Sequence, residues 1–208
     1  MSYTFDEIQA DIKKMSADDF YVKYILRSSC WYFENILASD KKSASEVADD
    51  FREIVSRDMG INFHNVALVG SAKLGYSLSP RKRFLEFSQD GMQRKESDID
   101  IAIISNGLFD MFWELLRKSF RPRFAKQYDR IALEVFRGYI NEKHLNHVVQ
   151  CRSAWNNLAL PSKKNLKNTL FIKHEISYRI YRSWEDVEDY QLHSLNAIKQ
   201  ELSRGTIS

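Results

Sequence analysis

Proline and glycine are scarce, three and seven in 208 residues, and neither clusters. That scarcity argues against a collagen-like repeat, a low-complexity tract or an obvious linker between domains. Cysteine is scarcer still. Cys30 and Cys151 lie far apart and neither belongs to a CxxC pair, so we expect buried thiols, not a disulfide framework or a cysteine-ligated zinc. No apolar run approaches the roughly 20 residues that span a bilayer, and the polar opening MSYTFDE does not read as a signal peptide. The expectation is no membrane insertion and a reducing, cytoplasmic setting. Nor does either sign of charge dominate: 31 Lys and Arg oppose 28 Asp and Glu, for a net charge of +3. This excludes a basic tail that holds nucleic acid indiscriminately and makes any polyanion contact a local matter.

The chain has apolar content enough for one domain with a sizeable core. We expect a helical part over 1–60, a catalytic sheet core over 61–183, and a C-terminal helix and tail over 184–208. Phe5, Ile8 and Ile12, then Phe20, Tyr24, Ile25, Trp31, Ile36 and Leu37, have helical spacing. Ser43 with Glu46 forms a capping box for a helix whose apolar face is Val47, Phe51, Ile54 and Val55, and Gly60 stops it. The pattern changes at Val66-Ala67-Leu68-Val69, a continuously apolar, β-branched run that reads as a buried strand ending in Gly70-Ser71. A polar excursion over 79–96 follows, with Arg81, Lys82, Arg83, Gly91, Arg94 and Lys95. Residues 97–104 read as a second strand and 108–120 as an amphipathic helix. Periodicity is faint over 121–168, with helix expected around 131–136 and around Trp155. Residues 171–181 alternate as a strand, 184–202 form a helix, and Gly205 releases a tail ending at Ser208. The class is α+β, a small mixed sheet flanked by helices.

Chemistry concentrates at the ends of the first two strands. Residues two apart on a strand face one way, so Asp98 and Asp100 project together while Ile99 and Ile101 enter the core. Paired carboxylates repel unless a cation lies between them. Alone, Asp-x-Asp at a strand start is most often a solvated edge or a turn cap, but continuation into a wholly apolar strand argues for the rim of a central strand. Such carboxylates suit a hard cation such as Mg²⁺. Gly70 lets the backbone approach a phosphate, and a helix starting after it would offer amides to the phosphate oxygens. Ser71 and Lys73 could then hold the β- and γ-phosphates. The pattern is neither a P-loop nor a dinucleotide fingerprint, since no Gly-Lys-Ser/Thr and no third glycine follow.

Taken jointly, the strand ending in Gly70-Ser71 and the strand carrying Asp98-Ile99-Asp100-Ile101 resemble the hG[GS]…[DE]h[DE]h signature of DNA polymerase β-like nucleotidyltransferases. The resemblance covers mainly residues 66–104. It implies the polymerase β-like fold and two Mg²⁺ (or Mn²⁺) ions held by Asp98, Asp100 and a third carboxylate from a later strand. Alternation over 171–181 sets Glu175, Ser177 and Arg179 on one face, which nominates Glu175; Glu134, in a more helical segment, is second. The gap between Gly-Ser and the first aspartate is longer than in the family, which marks 79–96 as an insertion. The implied activity moves a nucleotide from an NTP or dNTP to a hydroxyl and releases pyrophosphate.

At this size the chain lacks room for the fingers and thumb of a templated polymerase. It resembles the minimal prokaryotic nucleotidyltransferases of toxin–antitoxin and anti-phage systems, the Hailong type among them. The acceptors this implies are a growing oligonucleotide signal, primed on protein at a hydroxyl such as that of Ser208; an RNA 3′ end; or a partner protein, as in AMPylating enzymes, with a cognate effector or toxin as partner. Two other classes stay open: an inactive nucleotide-binding regulatory module and a nuclease. His144 and His147 read as core-edge or surface histidines, and Tyr178, Tyr181, Trp184 and Tyr190 mostly as packing between the last strand and last helix.

Overall fold

Residues 3–79, 82, 84–88, 97–122 and 125–204 are described by a computed structural model. The expectations for Arg81, Arg83, Gly91, Arg94, Lys95 and the tail from Gly205 to Ser208 lie outside the described residues. In chain order the elements are α1 (Phe5–Lys14), α2 (Ala17–Phe20), α3 (Ala44–Met59), β1 (Val66–Val69), α4 (Ser71–Leu74), β2 (Ile99–Ile104), α5 (Asn106–Lys118), α6 (Ala125–Phe136), β3 (Tyr139–Asn141), α7 (Glu142–Leu145), α8 (Val149–Thr169), β4 (Ile176–Tyr181) and α9 (Trp184–Ser203). Tyr21–Leu26 and Phe33–Leu37 are wider π-type turns. The class is α+β, and the strands form a small mixed sheet in the order β1-β2-β4-β3. Among the described residues no helix is long and apolar enough to cross a membrane.

Local rules account for several boundaries. In the α3 capping box the Ser43 amide donates to Glu46 Oε2 at 2.8 Å and the Glu46 amide to Ser43 Oγ at 3.3 Å. Thr4 and Glu7 cap α1 in the same reciprocal way. Elsewhere the structure departs from the sequence reading. The third strand begins at Ile176, not at 171, because the chain leaves α8 through Phe171 at φ +54°. A strand absent from that reading, β3, pairs antiparallel with β4 through Tyr139–Tyr181, Ile140–Ile180 and Asn141–Arg179. Ile36 and Leu37 are only half-buried, while Tyr32 and Phe33 fill the core, because a π turn advances the side chains by a different angle from the α periodicity. Within the described part of the excursion the Phe87 amide donates to the Gly75 carbonyl at 2.7 Å, and Phe84 and Phe87 are buried.

The chain divides into two compact units. The first comprises Met1–Ala48, Leu68–Asp100 and Glu188–Ser208, the second Asp49–Ala67 and Ile101–Val187. In the first, Ile8, Ile12, Phe20, Tyr24, Leu195 and Ile198 build one apolar cluster with Leu74 and Phe84. Lys199 on α9 donates at 2.6 Å to the carbonyls of Ile12 and Met15, placing a cation on the orphan acceptors at the end of α1. Cys30 is a buried thiol, as expected.

The second unit centres on Trp155, fully buried between the edges of Phe112 and Tyr178 with ring centroids 5.6 and 5.7 Å away. Its indole N–H donates to Glu142 at 3.1 Å, and Lys163 reaches the same carboxylate at 2.9 Å. The buried acid is thus both paired and hydrogen-bonded, the condition under which such a group is tolerated. Tyr178 shares a 2.7 Å hydrogen bond with Ser162, and burial pushes its phenol well above the usual range. The second cysteine, Cys151, is also buried and its thiol is pushed up to about 11.

Gly138, at φ +76°, joins α6 to β3, and a Cβ there would overlap the Asp186 carboxylate. That carboxylate is engaged by Arg182 at 3.1 and 3.0 Å and by Ser183 Oγ at 3.1 Å. Gly138→Ala therefore combines an unfavourable dihedral with loss of this cap, and should destabilise the protein by about 2–4 kcal/mol. A urea midpoint unchanged from wild type would refute this account of the turn.

Candidate functional site

β1 is buried at Val66, Leu68 and Val69, and it delivers the chain to Gly70 at φ +71° and ψ −152°. This backbone region is essentially closed to residues with a Cβ. The turn runs at once into α4, where the Lys73 amide donates to the Gly70 carbonyl at 3.2 Å and the Gly75 amide to the Ser71 carbonyl at 2.8 Å. Ala72 and Leu74 are buried and fix this short helix, leaving Ser71 half-exposed at its first position.

On the neighbouring strand Asp100 lies between Ile99 and Ile101, both fully buried, and is itself only half-buried. Asp98 is half-buried one residue before β2 begins. The alternation read from the sequence therefore holds, with acids toward solvent and isoleucines toward the core. Asp100 also lies directly against the turn: a Cβ built on Gly70 would stand 2.8 Å from Asp100 Oδ2. The structure thus brings Gly70, Ser71 and Asp100 together, all within the first unit.

Lys73 has a different position from the one expected. It is neither solvated nor extended from the turn but 8% exposed, and its ammonium donates to the Arg27 carbonyl. It lines a small cavity with Tyr3, Tyr24, Cys30, Trp31 and Glu34. Its ammonium thus ties α4 to the segment that precedes Cys30, whose thiol approaches the Ala72 carbonyl at 3.8 Å. Sequence offered no signal for this, because the acceptor is a backbone carbonyl 46 positions away.

No protein-family model, curated protein or solved structure matches the chain. Its site has to be read from its own chemistry.

The donors fit a hard cation. Asp98 and Asp100 offer carboxylate oxygens, and the side-chain-free face of Gly70 keeps open the space beside Asp100 that a Cβ would fill. Among the described residues no group of three or more His, Cys, Asp or Glu is gathered as a metal site. One or two carboxylates, with waters and substrate phosphate oxygens completing the set, is the usual environment of Mg²⁺.

Glu175 belongs to the second unit. It stands exposed, one residue before β4, with Lys167 at 3.3 Å. The burial alternation expected beyond it holds, Ile176, Tyr178 and Ile180 being buried and Ser177 and Arg179 half-buried. Glu134 lies in α6, where its carboxylate accepts from the Asn141 amide at 3.2 Å and lies 3.1 Å from His144 Nε2. His144 is thus a buried core-edge histidine. Tyr178 and Tyr181 are buried, but Tyr178 packs on Trp155 and Ser162 of α8 and Tyr181 beside Tyr139 of β3, not on the last helix as expected, and Trp184 is 39% exposed.

Two separable costs attend a side chain at position 70: the dihedral, about 1–3 kcal/mol, and the encounter with Asp100. Gly70→Ala should destabilise the protein, and Asp100→Ala in the same chain should remove the steric part only. The double variant should then be more stable than the sum of the singles predicts, by about 0.5 kcal/mol or more. Additive urea-unfolding energies would mean that Asp100 does not press on the turn.

Proposed function

We propose that the chain is a metal-dependent nucleotidyltransferase that moves a nucleotide from an NTP or dNTP to a hydroxyl acceptor. The observation that carries this reading is the packing of Asp100 against the Gly70 turn, which sets a carboxylate strand beside a turn whose backbone a phosphate can approach. A nuclease needs the acids but not the turn, and an inert scaffold gains nothing from holding carboxylates side by side.

In the proposed reaction the acceptor oxygen forms a bond to the α-phosphorus as the bond from that phosphorus to the α,β-bridging oxygen breaks. The bridging oxygen leaves with the electron pair as part of pyrophosphate, and the acceptor proton passes to a carboxylate or to solvent. Asp98 and Asp100 would hold Mg²⁺ or Mn²⁺, and the chemistry such an ion would supply is neutralisation of phosphate charge and acidification of the attacking hydroxyl. Gly70 and the Ser71 amide and hydroxyl hold the β- and γ-phosphates, and Lys73 acts by fixing α4, a role we infer from its bond to Arg27. Glu175 is kept as the nominee for the third carboxylate. The resemblance to minimal defence enzymes extends the proposal to template-independent synthesis in anti-phage defence.

Purified protein incubated with each labelled NTP and dNTP and Mg²⁺ or Mn²⁺ should incorporate label, read on denaturing gels with and without protease. A ladder identifies an oligonucleotide maker, and a single protein-bound label identifies protein AMPylation. Asp98→Ala with Asp100→Ala should lower incorporation by at least about a thousandfold. If Glu175 is the third carboxylate, Glu175→Gln lowers turnover while leaving nucleotide binding intact. Wild-type protein that neither binds nor incorporates any nucleotide, with or without an added RNA or protein acceptor, would overturn the reading.

A further inference from the structure

Residues 117–137 hold seven Lys and Arg against two Asp and Glu, in a chain whose net charge is only +3. Within this stretch α6 exposes Lys126, Asp129, Arg130, Ala132, Leu133 and Phe136, with Arg137 exposed just past its end, all in the second unit; Asp129 is the one acid among them, between Leu133 and Phe136 around the helix. At about 100° per residue, Lys126, Arg130, Leu133 and Arg137 fall within about 60° of one another, an edge about 16 Å long, with Phe136 about 60° further round. The row is unfavourable for an isolated protein. Lys126 and Arg130 are like charges at i, i+4, which repel, and among the described residues no ion pair forms on Lys126, Arg130 or Arg137. Phe136 is 87% exposed, the most exposed large apolar side chain described. Phe120, 45% exposed, packs edge-on to Tyr128 of α6 at 5.0 Å, and Arg121 beside it is also exposed.

A row of unpaired cations ending beside an exposed aromatic ring suits an unstacked nucleic acid strand: charge for the phosphates and a flat apolar face for a base. A duplex offers phosphates but keeps its bases stacked on one another. An acidic peptide offers charge without a series of π faces. We propose that this face of α6 binds single-stranded nucleic acid, with Lys126, Arg130 and Arg137 on phosphates and Phe136 stacked on a base. The binding requires neither metal nor nucleotide, so it stands independently of nucleotidyl transfer.

The test is fluorescence anisotropy of the full chain with labelled DNA and RNA strands of about 12 nucleotides, in EDTA, across about 50–200 mM salt. Binding should weaken with salt at a log–log slope of about −2, as three single-strand phosphate contacts require. Arg130→Glu with Arg137→Glu should flatten that slope and weaken binding at least about tenfold. Phe136→Ala should weaken it about tenfold with the slope preserved, and Phe136→Trp should restore it. Asp98→Ala with Asp100→Ala should bind as wild type does. The proposal is overturned if the strand is not bound, if the α6 variants bind as wild type does, if a duplex binds more tightly, or if a polyglutamate of equal charge displaces the strand as effectively as unlabelled DNA. Thermal unfolding of each variant by circular dichroism distinguishes loss of the face from loss of the fold.

Discussion

The approach of the Asp100 carboxylate to the bare Cα of Gly70 is the constraint on which the rest of the candidate site depends. It requires glycine twice over, for a dihedral pair that other residues avoid and for space that any side chain would fill. It also requires that β2 be anchored firmly enough to hold an acid there. Ile99, Ile101, Ala102 and Ile103 supply that anchorage, since all four are fully buried. At about 1.5–3 kcal/mol for each fully buried large aliphatic side chain, the three isoleucines hold the strand that carries the half-buried Asp100.

The same reasoning gives Lys73 its place. A lysine three residues beyond a glycine turn invites a phosphate-binding interpretation, yet its ammonium is spent on the Arg27 carbonyl. A buried ammonium needs acceptors, and a four-residue helix needs an anchor that its own hydrogen bonds cannot provide. Fixing α4 in this way fixes the position of Ser71 and the turn before it. The residue therefore acts on the Gly70-Ser71 turn through the position of α4.

The parts of the fold visible in the sequence were those where one local rule dominates. Val66–Val69 and the run from Ile101 are continuously apolar and β-branched, so strand is the economical solution; Ser43 and Glu46 close a capping box whatever lies elsewhere. Of the candidate site, the placement of Gly70 and Ser71 after one strand and of Asp98 and Asp100 at the start of the next is legible, because both are local features. What escaped was set by tertiary contact. β3 is three residues long, too short for any period to register, and exists because Tyr139–Asn141 pairs with β4. Helix α8 was seen only around Trp155, because it carries Pro161 and its buried positions include Ser162, held by the Tyr178 hydroxyl. The alternation continues back through Glu175 and so predicts a strand position for it, but a left-handed Phe171 turns the chain before the strand begins at Ile176.

Phe136 shows why apolar character alone could not separate core from surface. It closes the apolar run from Ile131 that reads as helix, yet Ile131 is buried while Phe136 is almost fully exposed. Helical geometry decides the matter: five residues are about 500°, so the two side chains diverge by about 140°. Had Phe136 been needed for the core, α6 would have had to rotate, exposing Ile131 and withdrawing the Glu134 carboxylate from the Asn141 amide and from His144. The interactions of Glu134 therefore fix the rotation of α6, and with it the outward set of Arg130, Leu133, Phe136 and Arg137. An aromatic ring left in water by a rotation that the half-buried, hydrogen-bonded Glu134 carboxylate enforces is a property of the fold itself, and it is why the basic edge of α6 presents an aromatic face as well as charge.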